Sequence, residues 1–205
     1  MLANLKVTKF LDKTAAGTAV PGGGSIAALS AALSASLSEM VANLTIDKKG
    51  YEAVQKEMKE ITAAASKLRK KLVKDIDKDA AAYNAVMKAF KMPQNTEKQQ
   101  DRRNKAIQSA LKNASSVPLS VARDTFHIMD LTAKVIRKGN KNAATDGAVA
   151  ALTAKAAILG ALYNVKTNLN FIDDIRFLKE ITKEVNSMER RVDKKEREIL
   201  SHVDV

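Results

Sequence analysis

Cysteine is absent from this chain, so it can build neither a disulfide nor a thiolate metal site. Aromatic residues make up only 4% of it, which leaves few side chains on which nucleic-acid bases could stack. Proline occurs three times, at positions 21, 93 and 118, and strand-period alternation is hard to find anywhere. The longest uncharged stretch begins at Thr14 and ends before Glu39, but it consists mainly of Ala, Ser and Gly. A spanning helix needs about 20 strongly apolar residues, so no membrane segment is expected. The opening MLANLKVTKFLDKT lacks the basic start, apolar middle and small-residue cleavage site of a secretory signal, and a cytoplasmic protein is expected.

Acidic residues are also scarce, 23 against 35 Lys and Arg, for a net charge of +12. The segment from Asp174 onward is balanced, so the excess lies upstream. Three uses suit such a surplus. It could neutralise phosphates of a nucleic acid, steer a polyanionic small molecule, or solvate a Lys-rich surface.

What the chain has is helical periodicity. After the glycines, Ile26, Leu29, Leu33, Leu37, Met40 and Leu44 step by three and four, beside a small-residue stripe of Ala27, Ala31, Ala35, Ser30, Ser34 and Ser38. That pattern predicts a central helix that others approach closely. A second periodic segment, about Tyr51 to Phe90, predicts either a long bundle helix or one broken near its middle. Met92 to Thr96 reads as a turn capped by Asn95 or Thr96. The helix from about Glu97 to Val135 should kink or split after Val117, because Pro118 follows. Two more helices are predicted, from about Asn142 to Leu169 and from about Asp173. The expected fold is all-α: one domain over 1–205, an antiparallel bundle of about five to seven helices joined by short loops.

Three features carry chemistry. Gly22-x-Gly24-x-x-Ala27 resembles a dinucleotide fingerprint, but no strand precedes it and no phosphate-loop Lys follows. What remains is a glycine-rich helix start whose exposed N–H groups and missing Cβ atoms would admit a ligand, or a tight turn. In DIDKDAAAYNAV, Asp79 continues the apolar stripe of Ile76, Tyr83 and Val86, Asp77 points elsewhere into solvent, and Asp75 shares part of the Asp79 face. A carboxylate on such a stripe has its pKa raised toward the range of a general acid or base; the alternative is a buried Asp satisfied by Lys or backbone. On the 142–169 helix, Asp146, Ala150, Thr153, Ala157, Gly160, Asn164 and Asn168 form one stripe and Val149, Leu152, Ala156, Leu159 and Tyr163 another. The first describes either a groove for a hydrogen-bonding heterocycle or amides that tie helices together. His127 and His202 have no partner at metal spacing, and no metal site is expected.

The segments AVPGGGSIAALSAAL, MVANLT, DKDAAAYNAVMKAFKMPQNT, ASSVPLSVA, GNKNAATDGAVAAL and NVKTNL, in that order along nearly the whole chain, resemble the cyclodeaminase/cyclohydrolase family of tetrahydrofolate enzymes. The resemblance implies an all-helical homodimer, catalysis by Asp79, and a folate site at Pro21, Gly22, Gly23, Gly24 and Ser25. It departs where the family often has Thr-Pro, here Val20-Pro21, and Ser-Asp, here Thr145-Asp146; neither change removes a reactive group. Asp146, Asn164 and Asn168 would hold the pterin or the reacting bridge, and Lys48 and Lys49 would capture an anionic, polyglutamylated tail. No cofactor beyond the tetrahydrofolate substrate, no metal and no nucleic-acid partner is then expected. Two reactions pass through a tetrahedral carbon between N5 and N10. A methenyltetrahydrofolate cyclohydrolase interconverts 5,10-methenyl- and 10-formyltetrahydrofolate; a formimidoyltetrahydrofolate cyclodeaminase closes its substrate and expels ammonia. The chain shows no fused formimidoyltransferase segment, which favours the cyclohydrolase. A basic helical nucleic-acid binder, and a scaffold that binds folate without turnover, are the remaining readings.

Overall fold

The computed structural model describes residues 1–203; the last two residues of the domain expected over 1–205 lie outside that range. Six α-helices account for most of it: α1 (Val7–Ala15), α2 (Gly23–Asn43), α3 (Gln55–Phe90), α4 (Glu97–Lys138), α5 (Ala144–Leu169) and α6 (Ile175–Leu200). Among the described residues there is no strand. Consecutive helices from α2 to α6 pack on one another, and α2 lies against α3, α4 and α5 at the centre.

Local chemistry sets the helix ends. Thr96 caps α4: its side chain accepts the Gln99 N–H at 3.3 Å while Gln99 Oε1 accepts the Thr96 N–H, a reciprocal capping box. The Asp174 side chain accepts from Phe177 N at 3.0 Å and starts α6. The 36 residues of α3 run without the break that its length made conceivable.

Of the two outcomes expected at Pro118, a kink or a split, the split does not occur: α4 runs through it without interruption. A proline leaves the carbonyl four residues earlier without its helical donor, here Ala114. Asn168 of α5 supplies the missing hydrogen bond, its Nδ2 lying 3.1 Å from Ala114 O. With that carbonyl satisfied and Pro118 buried, packing against α5 carries the helix through.

On α2 the small-residue stripe is the buried face, as the close approach expected of it requires. Its small residues, Ala27, Ala28, Ala31, Ala32 and Ala35, are the buried ones, pressed into the core beside Ala150, Ala151, Ala154, Ala157 and Ala161 of α5. Ser34 Oγ donates to Ala150 O at 2.7 Å, and Ser38 and Thr132 hydroxyls pair at 2.8 Å. Small side chains let the helix axes approach, so the larger Leu33, Met40 and Leu44 are left facing outward, as are Val149, Leu152 and Tyr163 on α5. Both core helices, Gly23–Asn43 and Lys141–Leu169, are by length and composition apolar enough to cross a membrane, which the sequence reading had denied them. About half of each is buried within the bundle.

Candidate active site

A cavity of about 330 Å³ opens where the start of α2 meets the second half of α3, the middle of α4 and the end of α5. That is the lower end of the range for small-molecule sites and accommodates a fused bicyclic ring. Gly22, Gly23 and Gly24 form one wall, Asp79 sits at its edge, and Asn164 and Asn168 line the side made by α5. Tyr83, Phe90 and Phe171 line the rest, each substantially exposed.

Asp79 owes its place to Gly24. A Cβ added at Gly24 would lie 2.0 Å from Asp79 Oδ1 and 2.5 Å from its Cγ, so the carboxylate occupies the volume that any other residue would need. The glycine therefore makes room for the protein's own carboxylate. Gly23 is less constrained, with Asn164 Nδ2 3.2 Å from where its Cβ would be. Gly22 precedes the first turn of α2, and the Val20–Pro21 peptide before it is cis.

The three aspartates of α3 take different partners. Asp75 is buried and paired with Lys78 at 2.6 Å and Lys71 at 3.3 Å. Asp77 is half-buried rather than solvated: its carboxylate accepts the backbone N–H groups of Leu2 and Ala3 at 2.6 and 3.3 Å. Among the described residues, Asp79 has no cation beside it. Burial pushes its pKa above the ordinary carboxylate range, and the Ser25 hydroxyl and Ser25 backbone N–H pull it part of the way back.

Ser25 is fully buried, so it supports Asp79 from below instead of touching a ligand as the sequence suggested. Its Oγ lies 2.9 Å from Asp79 Oδ2 and 3.1 Å from Ile76 O. A hydroxyl has one proton. When Asp79 is ionised, that proton points at the carboxylate. When Asp79 is protonated, Ser25 can accept from it and donate to Ile76 O. One residue thus serves both protonation states without moving a heavy atom. Pro21 is likewise buried behind the glycines.

Three expected residues are not brought to the cavity. Asp146 stands 18 residues before Asn164 on α5, about 27 Å along the helix. Lys48 and Lys49 follow the far end of α2, about 30 Å from Gly24. Sharing a helical face does not mean sharing a site. The groove expected along α5 is filled at Ala150 and Ala157 by the packed core. Among the described residues, no cluster of three His, Asp or Glu could hold a metal ion.

Residues 6–187 match the family described as formiminotransferase-cyclodeaminase. The chain is 39% identical to a methenyltetrahydrofolate cyclohydrolase of Methylorubrum extorquens, over 92% of this chain and 90% of that one. It is 30% identical to the formimidoyltransferase-cyclodeaminase of Rattus norvegicus over 91% of its own length but only 35% of that protein's. The crystal structure of formiminotetrahydrofolate cyclodeaminase from Thermotoga maritima superposes with a TM-score of 0.89 at 33% identity, covering 99% of this chain and 98% of that one. With the match spanning both walls of the cavity, from the glycines to Asn168, the chain belongs to the formiminotransferase-cyclodeaminase family.

Proposed function

We propose that the protein is a tetrahydrofolate one-carbon enzyme, acting as a methenyltetrahydrofolate cyclohydrolase with Asp79 as its proton-transfer residue. The observation that carries this reading is a half-buried carboxylate with no cationic partner among the described residues, set into a glycine wall of a cavity that offers amides and aromatic rings. In the hydration direction, the Asp79 carboxylate takes a proton from the water whose oxygen bonds to the methenyl carbon. The carbon becomes tetrahedral between N5 and N10. Asp79 then gives its proton to N5 as the carbon–N5 bond breaks, the hydroxyl proton leaves to solvent, and 10-formyltetrahydrofolate remains. The overall reaction releases one proton, and Asp79 returns to its starting charge.

A second reading is favoured by the superposed structure, whose own name is formiminotetrahydrofolate cyclodeaminase and whose length matches this chain. Standing alone therefore does not separate the two reactions, and the identity to the cyclohydrolase is what ranks them. For a formimidoyl substrate, N10 would attack the formimidoyl carbon and pass its proton to the imino nitrogen, and protonated Asp79 would deliver the second proton to that nitrogen as its bond to carbon breaks, releasing ammonia and leaving the methenyl cation. Incubating the purified protein with each substrate and following methenyltetrahydrofolate by absorbance tests both. Turnover of neither, alongside binding of reduced folate, would leave only a non-catalytic scaffold.

Ser25→Ala removes a donor that holds the Asp79 pKa down, so burial pushes that pKa further up. Hydration needs the carboxylate, and its rate falls as pH drops through that pKa. In Ser25→Ala the acid limb of the kcat–pH profile is expected to move to higher pH, and a limb that stays in place would detach Ser25 from catalysis.

The reading includes a homodimer through α2 and α5. Leu33, Val149, Leu152 and Tyr163 are between 49 and 63% exposed, and together they give neighbouring helices an apolar outer face. Light scattering is expected to report a dimer for the native chain and a monomer for Leu152→Glu.

A further inference from the structure

We propose that Asn168 is a fixed hydrogen-bond acceptor of the cavity, and that Pro118, on a different helix, is what fixes it. The proposal rests on the folate reading above and adds a specific polar contact to it. Asn168 Nδ2 donates to two backbone carbonyls, Ala114 O at 3.1 Å and Asn164 O at 3.0 Å. Both hydrogens of the amide are thereby used. Because both neighbours are acceptors, a flipped amide would set oxygen against oxygen, so the orientation is chemically determined. Ala114 O is available only because residue 118 is a proline and brings no N–H to the helix. An ordinary residue at 118 would satisfy that carbonyl within α4 and release the Asn168 amide.

The side chain lines the cavity, and among the described residues its Oδ1 has no protein partner. Among the described residues no sealed side-chain polar atom lacks a hydrogen bond, so this oxygen is accessible. Asn168 therefore presents an acceptor alone. Asn164 differs, since one of its amide hydrogens goes to Gly160 O at 2.8 Å and the other has no partner. The class of group that Asn168 recognises is an N–H of a flat heterocycle; in a folate, that is an N–H on the pterin.

The test uses four full-length proteins: native, Pro118→Ala, Asn168→Ala and the double variant, each titrated with 5-formyltetrahydrofolate, a stable reduced folate, and assayed for kcat and KM. A neutral hydrogen bond corresponds to about three- to tenfold in affinity. Asn168→Ala is expected to lose about that much in binding and to raise KM with kcat nearly kept. Pro118→Ala is expected to fold and to show a smaller rise in KM, since its Asn168 amide is free to turn. The double variant decides between a ligand contact and a strut. Its Ala114 carbonyl has a helical N–H again, so a purely structural Asn168 would no longer matter there. Weaker binding by the double variant than by Pro118→Ala is the expected result; equal binding would overturn the Asn168 assignment while leaving the folate reading in place. A native protein that binds no reduced folate at all would overturn both.

Discussion

Asp79→Asn is expected to lower kcat by about 10²–10⁴-fold, the usual worth of a positioned acid or base, while raising the melting temperature at neutral pH. The two effects share one cause. The Asp79 pKa is raised in the folded protein, chiefly by burial. Above the ordinary carboxylate pKa the unfolded chain carries the charge freely, whereas the folded protein must hold it in a poorly solvated place. The native state is therefore penalised at neutral pH, and the penalty disappears in acid, where the group is protonated in both states. An amide of nearly the same shape removes the charge, and each ~1 kcal/mol recovered corresponds to about 2–4 °C in a chain of this size. The gain should shrink to nothing below about pH 4. A variant that kept native kcat would move the chemistry to another residue. A lower melting temperature at pH 7 would instead identify Asp79 as a structural acid.

Gly24→Ala should be nearly as damaging, although no reacting group is changed. Alanine is the better helix former by about 1 kcal/mol, and Gly24 lies in the first turn of α2 without a left-handed φ. On propensity alone the variant would be more stable. Its Cβ, however, would sit 2.0 Å from Asp79 Oδ1, so the carboxylate must swing away from Ser25. It then leaves both donors that define its position and enters the space meant for ligand. A loss of kcat of about 10²-fold or more, the lower bound of the acid–base contribution, is expected with a folded protein by circular dichroism. Gly23→Ala is the internal comparison. There the nearest atom is the Asn164 amide at 3.2 Å, the end of a side chain that can give by a few tenths of an ångström. Its loss should stay within about tenfold, the scale of one neutral hydrogen bond. Similar losses at both glycines would mean that the wall as a whole, rather than the seat of Asp79, was disturbed.

Asp79 was legible in the sequence because a carboxylate interrupts an apolar stripe, but the meaning of the stripe was not. Tyr83 and Phe90 belong to it, and they form the cavity wall, so part of the stripe faces ligand space and not core. Periodicity identifies a face without saying what the face meets. On α2 both faces are apolar, and there side-chain size did mark the inner one: the small-residue stripe, read as a surface of close approach, is the buried face. Pro118 was read through the hydrogen bond it removes from α4, and its donor replacement, Asn168, is 50 residues away in sequence. Phe171 follows the end of α5 and lies in no periodic pattern, so nothing in the chain marked it as part of the site. Lys48, Lys49 and Asp146 carry plausible chemistry, yet helix rise alone separates them from Asp79's cavity within one chain.

The way Asp75 and Asp77 are occupied has an electrical consequence for Asp79. Two carboxylates in adjacent turns of one helix would ordinarily exchange influence, each proton gained by one easing the ionisation of the other, and the titration would spread into two blurred steps. Here Lys71 and Lys78 flank Asp75, while the amides of Leu2 and Ala3 cover Asp77. Each of the two thus has partners of its own, and the Asp79 carboxylate lies against the glycine wall. Burial and the two Ser25 donors are what set the Asp79 pKa, and neither neighbouring carboxylate is among the causes, in a helix that carries three aspartates within five residues.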